Sequence, residues 1–155
     1  MHQHRYPAWD DDGDVVTWPD TNTLVSDWWG VYLANGRFQK GTPRRETSTS
    51  EDAAAAYVDS LAGAGDARAV PVLLALAEGA PDREALFFFG AGPLEDLVHA
   101  HGDRVVTTLV EAARSSRRFK IALSGVWPDR QRPLRSETMR MLTPWLGDDE
   151  TTPFD

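Results

Sequence analysis

Cysteine is absent from the 155-residue chain. Its absence excludes disulfide bonds, thiolate zinc sites, iron–sulfur clusters and a cysteine nucleophile. No apolar run approaches the ~18 residues that a membrane-spanning helix needs. The first residues, MHQHRYPAWDDDGD, also lack the apolar core of a signal peptide. We therefore expect a cytoplasmic protein without membrane contact.

Basic residues are scarce, because 16 Lys and Arg stand against 24 Asp and Glu, for a net charge of -8. A general nucleic-acid-binding protein needs a basic face to neutralise phosphates, so nucleic acid is not the expected partner. Hydrophobic residues make up 41% of the chain. This content is enough for a core, and the length favours a single domain.

Apolar residues recur at intervals of three and four along most of the chain, and no segment shows a convincing strand alternation. Helix starts are predicted at Ser50-Glu51-Asp52, Pro81-Asp82-Arg83-Glu84 and Ser115-Ser116. Gly102 is predicted to end one helix before Asp103 caps the next. These signals predict an all-α fold of seven or eight short helices in antiparallel pairs, arranged as an irregular bundle or a HEAT-like α-solenoid.

Composition divides the chain into three parts. We expect an acidic N-terminal arm at 1–21, a single helical domain at 22–147 and an acidic tail at 148–155 that is frayed. Within the domain, the apolar run at 86–89 is predicted to be a buried helix. The stretch GAGP at 90–93 is predicted to be a tight turn between packed helices.

Residues 92–127 contain the strings GPLEDLVHAHG, VVTTLVEAAR and RRFKIALSGVW. Here the chain resembles a family of small uncharacterised bacterial helical proteins with a G-P-L-E-D-L-(L/V)…H-G signature and a closing (V/I)W. The matching pieces are Trp28-Trp29, 88–92, 93–102 and 119–127. The family has no established activity, so the resemblance implies a compact helical fold and a bacterial origin but no catalytic residue. Proteins of this kind often occur near toxin or defence loci, which implies an immunity or adaptor role.

Four potential ligands cluster at 95–101. On a helix, Glu95 and Asp96 lie four and three residues before His99, so a carboxylate and an imidazole could meet to bind a metal or pass a proton. The structural alternative is that the acids oppose the positive helix end and that His101 donates to a backbone carbonyl at the turn. Because the histidines are two residues apart rather than four, the spacing differs from a two-histidine zinc site. We predict no metal and no cofactor.

Charge is polarised along the chain, since residues 46–103 hold eleven acids and two bases while the C-terminal third is basic. The predicted acidic binding face consists of Asp82, Glu84, Glu95 and Asp96. The alternative site adds basic residues to the carboxylate and histidine cluster and consists of Glu95, Asp96, His99, His101, Arg114, Arg117 and Arg118. The basic third could also line a groove for an anionic partner. A solvated surface whose halves offset each other is the structural explanation of the same pattern.

Adjacent tryptophans lie on the predicted first helix, about 100° apart around its axis. Core packing is the default for Trp28 and Trp29, as for Trp127 and Trp145. One member of the adjacent pair is nevertheless predicted to lie at the edge of the core as an interface anchor.

Taken as a set, these features favour a non-enzymatic protein-binding module of immunity or adaptor type, whose acidic surface binds a basic protein. The alternative is a small enzyme or an accessory enzyme subunit, with its carboxylate, histidine and arginine site near residues 95–118.

Overall fold

The computed structural model describes residues 4–9, 15–18, 21–35, 44–65, 69–147 and 149–155. The chain groups into two compact units, Met1–Ser60 and Leu61–Asp155. The predicted domain boundaries at 22 and 147 remain predictions.

The N-terminal arm contains two paired strands, β1 (His4–Trp9) and β2 (Val15–Trp18). They are antiparallel, with His4 opposite Trp18 and Trp9 opposite Val15, and the register is irregular between Arg5 and Trp9. Pro7 falls in this interval and has no N–H to donate to the ladder. The expectation that no segment forms a strand is therefore wrong here. The aromatic and β-branched residues of these segments favour extended backbone.

In the first unit, α1 (Thr21–Ala34) is followed by α2 (Thr49–Ala64), whose last residues belong to the second unit. The start of α2 is a capping box rather than a cap at Ser50. The Ser48 hydroxyl accepts the Glu51 N–H at 3.1 Å, and the Glu51 carboxylate accepts the Ser48 N–H at 2.9 Å. This reciprocal pair satisfies two backbone donors.

Glu51 is also the centre of an ion pair within the first unit. The Arg45 guanidinium donates two parallel hydrogen bonds of 2.8 and 2.7 Å to its carboxylate and a third of 3.2 Å to the Gly30 carbonyl. The Arg45 guanidinium and the Ser48 N–H together lower the pKa of Glu51 to about 2. A Cβ at Gly30 would overlap the Glu51 carboxylate, so only glycine lets this carboxylate lie against α1.

Every regular element among the described residues of the second unit is a helix, which confirms the predicted α class for this part of the chain. Its elements in chain order are α3 (Ala69–Glu78), α4 (Arg83–Phe89), a π-helical segment (Gly90–Leu94), α5 (Glu95–Ser115), α6 (Arg117–Ser124), α7 (Ser136–Leu142) and a 3-10 turn (Thr143–Trp145). At the two predicted starts, 81–84 and 115–116, the Asp82 carboxylate caps α4 by accepting the Ala85 N–H at 2.7 Å, and the Ser116 hydroxyl caps α6.

The helix arrangement differs in detail from HEAT-like antiparallel pairs. Residues 83–115 form one nearly continuous helical run, with non-helical backbone at Gly92 and His101. The predicted break at Gly102 is a kink inside α5, and the Leu134 side chain packs closely over that glycine. Asp103 does not cap a helix start, because its carboxylate accepts the Arg135 N–H at 3.1 Å.

Helices α4 and α6 run in the same direction and approach closely at their C-terminal ends. A Cβ at Gly90 would overlap the Ala122 carbonyl, and one at Gly125 would come within 3.3 Å of the Phe87 carbonyl oxygen. At the opposite end, Arg118 on the first turn of α6 donates to the Ala80 carbonyl at 3.0 Å, just before α4 begins. The close approaches at Gly90 and Gly125 therefore lie at one end of the α4 and α6 pair, and the Arg118 bond lies at the other.

The core of the second unit is made of fully buried aliphatic and aromatic side chains from α3 to α7, namely Leu73, Leu76, Leu86, Phe89, Leu94, Leu97, Leu109, Phe119, Ile121, Leu123 and Leu142. The apolar run at 86–89 is only partly buried, since Phe88 is 39% exposed. A helix shows one face to the core, so four consecutive apolar residues cannot all be buried unless neighbours surround it.

The C-terminal tail is docked, which corrects the expectation that it is frayed. The Arg83 guanidinium donates to the Asp149 carbonyl at 2.6 Å and to the Thr152 carbonyl. Arg118 lies 4.2 Å from the Phe154 ring centroid and pairs with the Asp155 carboxylate at 3.0 Å. Residue 148 lies outside the described part of the chain.

Candidate functional site

The N-terminal part of α5 holds the backbone of Trp127, three residues after the end of α6. Glu95 and His99 lie one helical turn apart, and both side chains reach the backbone of Trp127. The Glu95 carboxylate accepts the Trp127 N–H at 2.7 Å, and His99 Nε2 lies 2.6 Å from the Trp127 carbonyl oxygen. The predicted carboxylate and imidazole therefore both bond to the backbone of Trp127, one to its N–H and the other to its carbonyl.

The indole of Trp127 is 68% exposed, although its backbone is held on both sides. The prediction that Trp127 packs in the core is wrong, because α6 ends at Ser124 and the chain leaves the core before the indole. Phe88, also partly exposed, lies at the same end of α4 and α6, since its neighbour Phe87 is packed against Gly125. Two aromatic side chains, Trp127 and Phe88, are therefore exposed at this end of α4 and α6.

The loop after Trp127 is ordered by Asp129. Its carboxylate accepts the Gln131 N–H at 2.8 Å and pairs with Arg132 at 3.2 Å. The Gln131 N–H and the Arg132 guanidinium hold the pKa of Asp129 below its ordinary value. Asp129 therefore stays charged and fixes the loop beside Trp127.

His101 has a separate role at the kink in α5. Its Nε2 lies 2.8 Å from the Gly63 carbonyl oxygen, while Arg104 donates to the Gly65 carbonyl at 2.9 Å. The His101 ring lies against Gly65, whose φ of 61° and lack of a Cβ permit the contact. This matches the structural alternative of a histidine bonded to a backbone carbonyl at a turn.

The four residues of the predicted acidic face lie at two different ends of α4. Asp82 and Glu84 lie at its start, near Arg118, while Glu95 and Asp96 follow its end and lie near Trp127. Seven helical residues separate the two ends by roughly 10 Å. The side chains of Glu84 and Asp96 are exposed, whereas Asp82 caps a helix and Glu95 holds Trp127.

The basic residues of the alternative site also lie in different places in the second unit. Arg118 donates to the Glu78 carbonyl at 2.8 Å and holds the tail, and Arg117 is exposed. Arg114 instead lines a groove with Lys120 and Arg140. Charge polarisation indicated such a basic groove, but Lys120, Arg140 and Trp145 were not among the predicted site residues.

The predicted interface anchor is not where we expected it. Trp28 and Trp29 are only 7% and 4% exposed, and their rings pack edge to face with centroids 4.7 Å apart. Trp29 makes a second edge contact with Tyr32 at 5.5 Å. Aromatic side chains pack favourably in this geometry. Both indoles are buried, whereas that of Trp127 is exposed.

Two features are absent from the described residues. No helix there is both long and apolar enough to cross a membrane. In the same part of the chain, no group of three His, Asp or Glu side chains is placed to hold a metal ion.

A family model matches residues 43–139, and its description is a family of unknown function, DUF6869. The chain belongs to this family. The match includes Glu95, His99, Trp127 and the loop that follows. Neither the curated proteins nor the solved structures contain a match to the chain.

Proposed function

We propose that this chain is a protein-binding module of adaptor or immunity type, which binds a basic protein through a surface centred on Trp127. We call Glu95, Asp96 and Trp127 the Trp127 surface. The observation that supports the proposal is the 68% exposure of an indole whose backbone N–H and carbonyl are both held by α5. Tryptophan is among the residues that contribute most to protein–protein binding.

The rigid backbone supports an anchoring role. Binding requires that side chains and loops be ordered, and each flexible side chain costs about 0.5–1.5 kcal/mol to immobilise. Glu95 and His99 hold Trp127 before any partner arrives, and Asp129 orders the loop that follows. Binding a partner through the indole therefore requires little further loss of backbone entropy.

The charge of the surface favours a basic partner. The Glu95 carboxylate bonds to Trp127, Asp96 is the next residue on α5 and is exposed, and the whole chain has a net charge of -8. Opposite charges steer association over distances of about 8 Å at physiological ionic strength. The bases of the adjoining loop are Arg130, Arg132 and Arg135. Arg132 is paired with Asp129 and Arg135 with Asp103.

The experiment is a quantitative affinity capture from the encoding organism, with wild-type protein, Trp127→Ala and a matched control. Leu33→Ala is the control, because Leu33 is a comparably sized apolar residue that is 37% exposed in the other unit. We expect Trp127→Ala to lose its partner and Leu33→Ala to retain it. A partner that binds Trp127→Ala with unchanged Kd would contradict the proposal.

Charge is tested with the captured partner and single reversals. Asp96→Lys should slow association, and Arg130→Glu should leave it unchanged or speed it, with both effects shrinking as salt rises. Glu84→Lys tests the other end of α4, which our sequence analysis included in the acidic face. Slower association with Glu84→Lys alone would move the interface to that end. Faster association with Asp96→Lys would show that the partner is acidic.

A further inference from the structure

A basic groove lies in the second unit and shares no residue with the Trp127 surface. It has a volume of ≈ 530 Å³ and is formed by α5, α6, α7 and the 3-10 turn. Three cationic side chains line it, Arg114, Lys120 and Arg140, beside an apolar wall that includes Val110, Met141 and Trp145. Pockets of 300–1,000 Å³ are typical of small-molecule sites.

The cations of the groove are little neutralised by the protein. Among the described residues, neither Arg114 nor Arg140 has a hydrogen-bond or ion-pair partner, and the Lys120 ammonium lies 3.8 Å from the Asp149 carboxylate. No acidic side chain lines the groove itself in this part of the chain. Three like charges from three different helices repel one another, and a bound anion would offset that repulsion.

The lining residues specify the kind of anion. Arginine forms paired hydrogen bonds with phosphate, and two arginines with a lysine match a group that carries two negative charges. The half-buried Trp145 adds a large apolar surface on which a planar ring can stack. We propose that this groove binds a phosphorylated small molecule with a flat apolar part, the combination found in a mononucleotide.

The test is isothermal titration calorimetry of the full chain with AMP, adenosine and inorganic phosphate. Because AMP combines both parts of the proposed ligand, it should bind more tightly than either adenosine or inorganic phosphate. Arg114→Gln and Arg140→Gln should each weaken AMP binding about tenfold or more, since each removes a charge-assisted hydrogen bond. Trp145→Leu should reduce the preference for AMP over inorganic phosphate.

Arg117→Gln is the matched control, because Arg117 is exposed on α6 and does not line the groove. Its AMP affinity should equal that of the wild type, and the melting temperatures of all three arginine variants should agree. The proposal is overturned if none of the probes binds, or if Arg117→Gln weakens AMP as much as Arg114→Gln. Equal affinities for AMP and inorganic phosphate would overturn the inference that the ligand has a planar part.

Discussion

The carboxylate of Glu95 accepts the backbone N–H of Trp127 at 2.7 Å across 32 residues of chain. A hydrogen bond to a charged group contributes about 1.5–3 kcal/mol when it is shielded from water, and less when it is exposed. We therefore expect Glu95→Ala to raise the hydrogen-exchange rate of the Trp127 amide by roughly tenfold. Asp96→Ala removes a neighbouring exposed carboxylate and is the control. An unchanged exchange rate in Glu95→Ala would show that this bond does not hold the loop.

Gly30→Ala is expected to destabilise the protein, which is the opposite of the usual effect of replacing a glycine inside a helix with alanine. Glycine inside a helix costs roughly 0.5–1 kcal/mol relative to alanine, so Gly→Ala normally stabilises. A Cβ at Gly30 would overlap the Glu51 carboxylate, which the Arg45 guanidinium and the Ser48 N–H hold in place. Gly30→Ala should therefore lower the free energy of unfolding, measured by urea denaturation.

The control for that prediction is Gly63→Ala. Gly63 lies in α2, and a Cβ there would meet nothing within 4 Å. This variant should be as stable as the wild type or about 0.5–1 kcal/mol more stable. If both variants are stabilised, the Glu51 carboxylate moves aside at no cost and the ion pair is not a fixed contact.

Acid should weaken the Arg45–Glu51 pair. The folded-state pKa of Glu51 is lowered to about 2 from an ordinary value of 4.5, so the unfolded chain binds its proton first as pH falls. The stabilisation is complete above the ordinary value and is lost as pH falls from there towards 2. We expect Glu51→Gln to cost roughly 1–3 kcal/mol at neutral pH.

Measurement of that cost requires urea unfolding of both proteins at several pH values. The difference in unfolding free energy between wild type and Glu51→Gln should be largest at about pH 6 and should shrink below about pH 4. A difference that stays constant with pH would show that the charge of Glu51 contributes nothing. The comparison isolates Glu51, since Asp129 and Asp103 titrate alike in both proteins.

Local signals in the sequence predicted most helix starts. Asp82 and Ser116 cap their helices at the predicted starts, because an N-cap needs only a side chain that reaches a backbone N–H three residues later. Ser48-x-x-Glu51 is a capping-box pattern of the same local kind and was a readable signal that our choice of Ser50 overlooked.

Long-range contacts explain what sequence patterns did not predict. Gly102 resembles a helix stop, but α5 continues through it with a kink at His101, and the Leu134 side chain packs over the glycine. Trp127 is a large apolar residue and was predicted to be buried. Its indole is exposed because α6 ends at Ser124 and because Glu95 and His99 hold its backbone outside the core. The acidic composition of the tail at 149–155 is typical of an unstructured segment. The tail is held instead by Arg83, which bonds to carbonyls 66 and 69 residues away in the chain.

The docked tail yields the last prediction. Arg118 bonds to the Glu78 and Ala80 carbonyls and also contacts Phe154 and Asp155 of the tail. Arg118→Ala should lower the melting temperature, whereas Arg117→Ala, which removes an exposed neighbouring arginine, should leave it unchanged. A chain ending at Gly147 should also melt at a lower temperature than the full chain, because Arg83 loses its carbonyl acceptors.

The two changes should not be additive. In the chain ending at Gly147, Arg118 has already lost its contacts with Phe154 and Asp155, so Arg118→Ala should cost less there than in the full chain. A double-mutant cycle on unfolding free energies measures this coupling, and the cation–π contact and the half-exposed ion pair together suggest about 1 kcal/mol. Additive effects would mean that Arg118 stabilises the unit only through the Glu78 and Ala80 carbonyls, and that the tail is held by its other contacts, with Arg83, Lys120 and Ser124.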